Sequence, residues 1–316
     1  TRTLVTNPAD PVASPYGWHD TDGIDGEEYT ITRGNNTFTY ADITVPDGYN
    51  AGDVTANGNS TLTFVSALDF DQHPSFYSRA AVTQLFYTTN MLHDTLYHYG
   101  FDEASGNFQV NNYGRGGLGD DAVIAEAQDY RSFNNATFYT PPDGYAPHME
   151  VFLSWRRGKI MVQEPASIAG TYFGGQSSFL SGDYNVTGQL VLAQDDTAPI
   201  DDACSSLTNA AAVAGKIVLM SYSSECTTQV RVTNAINAGA IGMIVANNTG
   251  THEFLDLFNR IIPSVGISYN DGQTLRDALQ SQTVTLTLMS YTNDASFDTS
   301  VIMHEYGHGL SNRLTG

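Results

Sequence analysis

Towards its carboxyl end the chain reads DTSVIMHEYGHGLSNRLTG, with His304 and His308 four residues apart and Glu305 between them. A helix is what brings such a pair together. At about 100° per residue, positions i and i+4 project from nearly the same face, one turn apart. Asp298 is suited to cap that helix, and Val301, Ile302, His304, Glu305 and His308 then follow on it. Two imidazoles so placed can share one Zn²⁺, while Glu305 lies beside them and not on the metal. In this H-E-x-x-H pattern zinc lowers the pKa of a bound water towards about 7. The carboxylate takes the proton as hydroxide attacks a carbonyl, and later delivers it to the leaving amine. Peptide-bond hydrolysis is the chemistry this suits. Gly307 and Gly309 would each cost about 1 kcal/mol in an ordinary helix, so both are expected where the helix packs closely on its neighbours.

Charge removes two classes of partner. Among 316 residues, 34 Asp and Glu stand against 13 Lys and Arg, a formal net charge of −21. Such a surface repels phosphate backbones and anionic lipid, so neither nucleic acid nor a membrane is an expected partner. No apolar run reaches the length of about 18 residues that a membrane span needs. Divalent-cation binding stays open. The acidic clusters Asp20, Asp22 and Asp25, Asp120 and Asp121, and Asp201 and Asp202 offer oxygens to Ca²⁺. None matches a D-x-D-x-D-G loop with its closing Glu, so solvated loop charge is the preferred reading. With Cys204 and Cys226 as the only cysteines, one local bridge in an oxidising compartment and two buried thiols are both open. The opening TRTLVTNPAD has no initiator Met, basic stretch or apolar stretch. It reads as a mature terminus from which any export signal or propeptide has been removed.

The chain changes style along its length. Residues 1–75 alternate β-rich runs (YTITRG, NTFTYADITV, STLTFVSALDF) with Gly, Asn, Asp and Pro clusters, which predicts antiparallel β with turns. Between Ser78 and Tyr99, Val82, Leu85, Phe86, Leu92 and Leu96 recur near helical spacing until Gly100, which predicts one amphipathic helix. MEVFLSW reads as an apolar strand. Residues of about 160–290 are of another kind. GKIVLM, IGMIVANN and IIPSVGIS read as buried strands, and QVRVTNAINAGA and GQTLRDALQ as helices, predicting a small parallel or mixed α/β unit inserted between the flanking parts.

Five blocks together resemble the fungalysin family of secreted zinc metallopeptidases, which share a thermolysin-like architecture. They are ASPYGWHDTDG (13–23), RGNN (33–36), NMLHDTLYHYGFDEASGNFQVNN (90–112), NNATFYTPPDGYAPHMEVFLSW (134–155) and FDTSVIMHEYGHGLSNRLTG (297–316). The resemblance implies an α+β fold. A β-rich N-terminal metallopeptidase subdomain (1–158) leads to the zinc helix (291–316), with a small α/β domain (159–290) inserted between them. It implies a secreted, extracellular endopeptidase acting on protein or peptide substrates. One catalytic zinc is held by His304 and His308, Glu305 is the general base, and the zymogen carries an inhibitory propeptide that is later removed. NNATF resembles the thermolysin-type edge strand that pairs with substrate backbone, which would put Asn135 and Ala136 in the cleft; an extended peptide gains main-chain hydrogen bonds at such an edge. The insertion resembles a protease-associated domain through VAGKIVLMSYSSECTTQVRVTNAINAGAIGMIVANN. Both cysteines fall inside it, which supports a local Cys204–Cys226 disulfide.

A catalytic zinc ordinarily takes three protein ligands and a water, and the motif supplies two. In the resembled family the third is a Glu on a later helix, so the chain reads as the N-terminal half of an enzyme whose C-terminal half is its partner. Alone it is expected to bind zinc weakly and hydrolyse nothing. The alternative is a binding or adhesion protein on an inactive peptidase scaffold, working through the inserted domain. A two-metal aminopeptidase fits less well, since its metals need dispersed Asp, Glu and His. Adjacent helix positions point about 100° apart, so His93 and Asp94 are not expected to face one partner, and His93 is expected in the interface beneath the zinc helix. His19, His73, His98, His148 and His252 have no metal-ligand spacing.

Overall fold

The computed structural model describes residues 3–70, 72–154, 157–176, 184–248 and 261–316; His252 and Trp155 lie outside them. Two compact units emerge. The first combines Thr1–Ser154 with Asn293–Gly316, and the second is Trp155–Thr292.

In the first unit, TFTYA forms β1 (Thr37–Ala41), where aromatic and β-branched residues run unbroken. Helix α1 (Ser78–Tyr97) follows a short 3-10 turn at Pro74–Phe76 and gives way at Gly100, whose φ is +94°. Then come β2 (Val123–Phe133), β3 (Ala136–Tyr139) and β4 (His148–Leu153). The sheet order is β1-β2-β4-β3, with β1 and β4 parallel to β2 and β3 antiparallel to β4. This corrects the expected run of antiparallel strands over residues 1–75. Among the described residues of that stretch β1 is the one strand, and it pairs in parallel with a distant partner. YTITRG and STLTFVSALDF make only isolated bridges, turns and a 3-10 turn, with Asn59 and Leu62 at positive φ. Their Gly, Asn and Asp neighbours bend the backbone faster than a ladder can propagate.

The second unit holds β5 (Arg157–Glu164), β6 (Gly170–Gln176), β7 (Asn185–Leu192), α2 (Ala210–Val213), β8 (Ile217–Ser221), α3 (Thr228–Asn237), β9 (Gly242–Ala246), β10 (Ser264–Ile267), α4 (Tyr269–Leu279) and β11 (Thr285–Tyr291). They form a sheet of order β10-β9-β8-β7-β11-β5-β6, parallel from β7 to β10 and antiparallel at β11. Strands buried on both faces need continuous apolar runs, and β8 and β9 supply them. Val218, Met220, Met243 and Val245 pack with Val232 and Ala235 of α3. Leu219, Ile244, Val265 and Ile267 turn the other way, towards Leu275 and Ala278 of α4. Cys204 and Cys226 are joined in a disulfide. Arg231, only 1% exposed, ties that loop by donating from Nη1 to the Cys226 carbonyl (2.8 Å) and from Nε to the Asp202 carbonyl (3.0 Å).

The chain then returns to the first unit as α5 (Thr299–Thr315). Ile302 and Tyr306 of α5 join Val82 and Leu85 of α1, Phe108, and Val123, Met149 and Val151 of the sheet in one apolar core.

Candidate metal centre

Asp298 caps α5 by accepting from the backbone N–H groups of Ser300 (2.9 Å) and Val301 (3.4 Å), satisfying donors that the first turn leaves open. The helix has two faces. Ile302, Glu305, Tyr306 and Gly309 are buried, whereas Met303, His304 and His308 are exposed. His304 Nε2 and His308 Nε2 converge to 3.0 Å, their rings nearly perpendicular at 88°. Two nitrogens each about 2.0–2.1 Å from a tetrahedral zinc would lie about 3.3 Å apart, so the pair fits two corners of such a shell. Among the described residues no third His, Cys, Asp or Glu gathers with them. Glu305 is 7% exposed, and its carboxylate makes no hydrogen bond among the described residues.

Packing fixes the helix behind this face. A Cβ added at Gly309 would lie 2.5 Å from the Phe138 ring of β3, so the absent side chain is what lets α5 and β3 approach. Gly307 corrects the other half of that expectation: an added Cβ would meet nothing within 4 Å. It sits on the open side of α5, where close packing places no demand. Tyr306 stacks edgewise against Phe108 (5.7 Å) and Phe138 (6.0 Å). Burial, then the charges of Asp94 and Asp121, hold its phenol protonated and its pKa above the ordinary value. At the far end, Arg313 donates to Asp121 (2.8 Å), Asp143 (3.2 Å) and the Gly106 carbonyl (2.9 Å), with its guanidinium over the Phe108 ring. Arg313 is a clamp the sequence reading missed; its signal was a basic residue in the last turn of a predicted helix.

Beneath α5, α1 carries His93 and Asp94, both buried. They bond each other, Nδ1 to Oδ1 at 2.9 Å, while their remaining partners differ, His93 Nε2 meeting Asn107 Nδ2 at 3.3 Å. The offset separates the Cα–Cβ directions, but a ring and a carboxylate are long enough to turn towards one another. Asp94 also accepts from Ser14 Oγ (2.7 Å), Trp18 Nε1 (2.7 Å) and the Asp10 backbone N–H (2.9 Å), so segments distant in sequence meet on one carboxylate. Burial pushes this carboxyl up, yet the bonds from His93, Asp10 and Trp18 outweigh it and hold Asp94 below its ordinary value.

Strand β3 is an edge, paired on one side only. Ala136 is buried in register with Val151, and Asn135 just before it is exposed, its carbonyl accepting from Phe152 N–H at 3.2 Å. The outer edge keeps unpaired backbone groups.

One member of each acidic cluster departs from solvated loop charge, while Asp22, Asp25 and Asp120 are exposed as expected. Asp20, Asp121 and Asp202 are each 1% exposed or less. Asp121 serves Arg313 and the Gln109 N–H, and Asp202 accepts from Ser223 Oγ and the Cys204 N–H. Neighbouring acids in sequence are sorted here by which one finds donors inside the fold.

A family profile described as "Fungalysin metallopeptidase (M36)" matches residues 1–316. Extracellular metalloproteinase MEP of Pyricularia oryzae is 43% identical over 152 residues, covering 48% of this chain and 23% of that protein. Extracellular metalloproteinase 5 of Trichophyton tonsurans is 40% identical over 186 residues, covering 57% and 29%. The matched part is thus under a third of either relative's length. Among solved structures, a zinc aminopeptidase from Bacillus subtilis aligns at TM-score 0.31 and 21% identity over 51% of this chain and 35% of that one, a likeness too slight to bear on fold or activity.

Proposed function

Because the chain belongs to the fungalysin metallopeptidase family, we propose that it is part of a secreted zinc endopeptidase acting on extended protein segments. His304 and His308 hold the zinc, and Glu305 is the general base. The observation that carries this is the convergence of the two Nε2 atoms at 3.0 Å on the exposed face of α5, with the Glu305 carboxylate one residue away and unengaged. Zinc bound there supplies Lewis acidity, polarising a carbonyl oxygen and acidifying water. Glu305 takes a proton from the attacking water and hands it to the amine nitrogen as the peptide bond breaks. The outer edge of β3 receives the substrate backbone, with the Asn135 amide and the Ala136 main chain as contacts. Phe138 packed on Gly309 keeps that edge beside α5. Relatives named extracellular metalloproteinases support secretion and an enzyme over a binding protein on an inactive scaffold.

Three further parts complete the reading. The third zinc ligand comes from a part of the enzyme outside this chain. Trp155–Thr292 acts as a non-catalytic protease-associated domain, supported by its place as one continuous segment within the discontinuous first unit. A propeptide restrains the zymogen before secretion.

The test uses the complete enzyme. Glu305→Gln lowers peptide hydrolysis by about 10²- to 10⁴-fold while zinc stays bound. His304→Ala and His308→Ala each lose the metal, read by elemental analysis. Turnover at the parental rate in folded Glu305→Gln sinks the assignment.

A further inference from the structure

The parallel register of β1 and β2 sets Tyr40 beside Glu126 and Ala41 beside Ala127. Residues two apart share a face, so Asp42, just past β1, follows Tyr40 to the side that carries Glu126. Asp129 comes three residues after Glu126, a spacing that ordinarily sends it to the opposite face. The register shifts between Ala127 and Asp129, with Gln128 at φ +52°, and this bulge returns Asp129 to the same side. The loop after β1 adds Asp47. Oxygens of Asp42, Asp47, Glu126 and Asp129 all lie within 4.8 Å of one another, and Asp42, Glu126 and Asp129 are each 1% exposed or less.

The groups present do not satisfy this cluster. Arg131 bonds Asp47 Oδ2 (2.7 Å) and Asp129 Oδ2 (3.3 Å) and also pairs with Glu150, so one cation is shared among several acids. Tyr40 Oη donates to Glu126 Oε1 at 2.5 Å, and the Gly48 N–H donates to Asp42 Oδ2 at 3.1 Å. Asp42 Oδ1 and Glu126 Oε2 are buried with no hydrogen-bond partner. An unpaired buried carboxylate oxygen is costly, and nearby like charge adds to the cost. Burial above all, with the neighbouring acids adding, pushes Asp42 up to about 6 and Glu126 up to about 8.

We propose that Asp42, Asp47, Glu126 and Asp129 form a Ca²⁺ site in the first unit, with Asp42 Oδ1 and Glu126 Oε2 as its innermost ligands. The donors are all carboxylate oxygen, which selects a hard cation over zinc. Oxygens about 2.3–2.6 Å from Ca²⁺ stand at most about 5 Å apart, a limit this cluster meets. The site shares no residue with the His304–His308 pair. A second group, Asp20, Asp22 and Glu28, also brings carboxylates together, but only Asp20 of it is buried.

Calorimetric titration with Ca²⁺ of the chelator-treated, zinc-reloaded enzyme tests the assignment. Terbium serves as a luminescent stand-in excited through Tyr40. Expected are a Ca²⁺ binding isotherm and tyrosine-sensitised terbium emission that Ca²⁺ displaces. Glu126→Gln abolishes both. Asp47→Asn, at a side chain 51% exposed and therefore tolerated by the fold, weakens Ca²⁺ binding by about tenfold. Asp22→Asn leaves this binding unchanged. No Ca²⁺ uptake by folded wild-type protein overturns the proposal. So does uptake that Asp47→Asn and Glu126→Gln leave untouched, or that Asp22→Asn removes.

Discussion

The two units are stabilised in different ways. In the first, Asp20, Asp42, Asp94, Glu103, Asp121, Glu126, Asp129, Asp294 and Glu305 are buried; in the second, Asp195 and Asp202 are the buried acids among the described residues. The second unit rests mainly on apolar strands covered by helices, where stability follows packed area, and its buried charged residues include Arg231, Asp195 and Asp202. The first has acids inside that must each find a donor or a cation, so its fold depends on specific partners. The proposed metal centre lies in the first unit, among charged and hydrogen-bonding groups held in place by such partners.

The sharpest test of that difference is Arg313→Ala, which strands Asp121 in the core. A loss of about 3–5 kcal/mol is expected in denaturant unfolding, confined to the first unit. A loss below 1 kcal/mol would make Arg313 ornamental. Cys204→Ser is the counterpart in the second unit. Opening the 22-residue separation costs about 3 kcal/mol in the chain-entropy model and leaves the first unit's protection in hydrogen exchange unchanged. Next in size, Asp94→Asn costs about 1.5–3 kcal/mol at pH 7, because hydrogen bonds to a charged acceptor are exchanged for neutral ones. The sign follows from a folded pKa held below the ordinary 3.8: the stabilisation is present above that value and is lost as pH falls through the lower folded one. The gap between wild type and variant should therefore begin to shrink only as pH falls below 3.8 and close only below the lower folded pKa, and a gap that stays constant across that fall removes the charge argument. The smallest effects separate two glycines. Gly307→Ala, with open space around it, raises stability by about 0.5–1 kcal/mol, whereas Gly309→Ala lowers it by about 1–3 kcal/mol through the Phe138 ring.

Much of the second unit was legible because its signals are local. GKIVLM became β8, IGMIVANN became β9, IIPSVGIS holds β10, and the two periodic stretches became α3 and α4. The amphipathic run from Ser78 became α1 for the same reason, and Asp298 caps α5 as its position suggested. The first 75 residues were misread because alternation reports that a residue is extended, not which partner it meets. β1 depends on β2, more than 80 residues away, for its ladder. The cluster of Asp42, Asp47, Glu126 and Asp129 carried no pattern at all, since its members come from one strand and the loop that follows another, and one of them faces inward only through a bulge.

The sequence by itself determined the helix that carries His304, Glu305 and His308 and the side from which the two imidazoles project, because helical periodicity is a property of the local chain. It also determined the apolar α/β character of the inserted stretch. Tertiary structure alone decided which carboxylates are buried and which of them are paired. It decided too that Gly309 and not Gly307 bears the close contact, and that His93 turns to Asp94. Burial and pairing depend on what distant segments bring to the same point, and no spacing within a single segment encodes that.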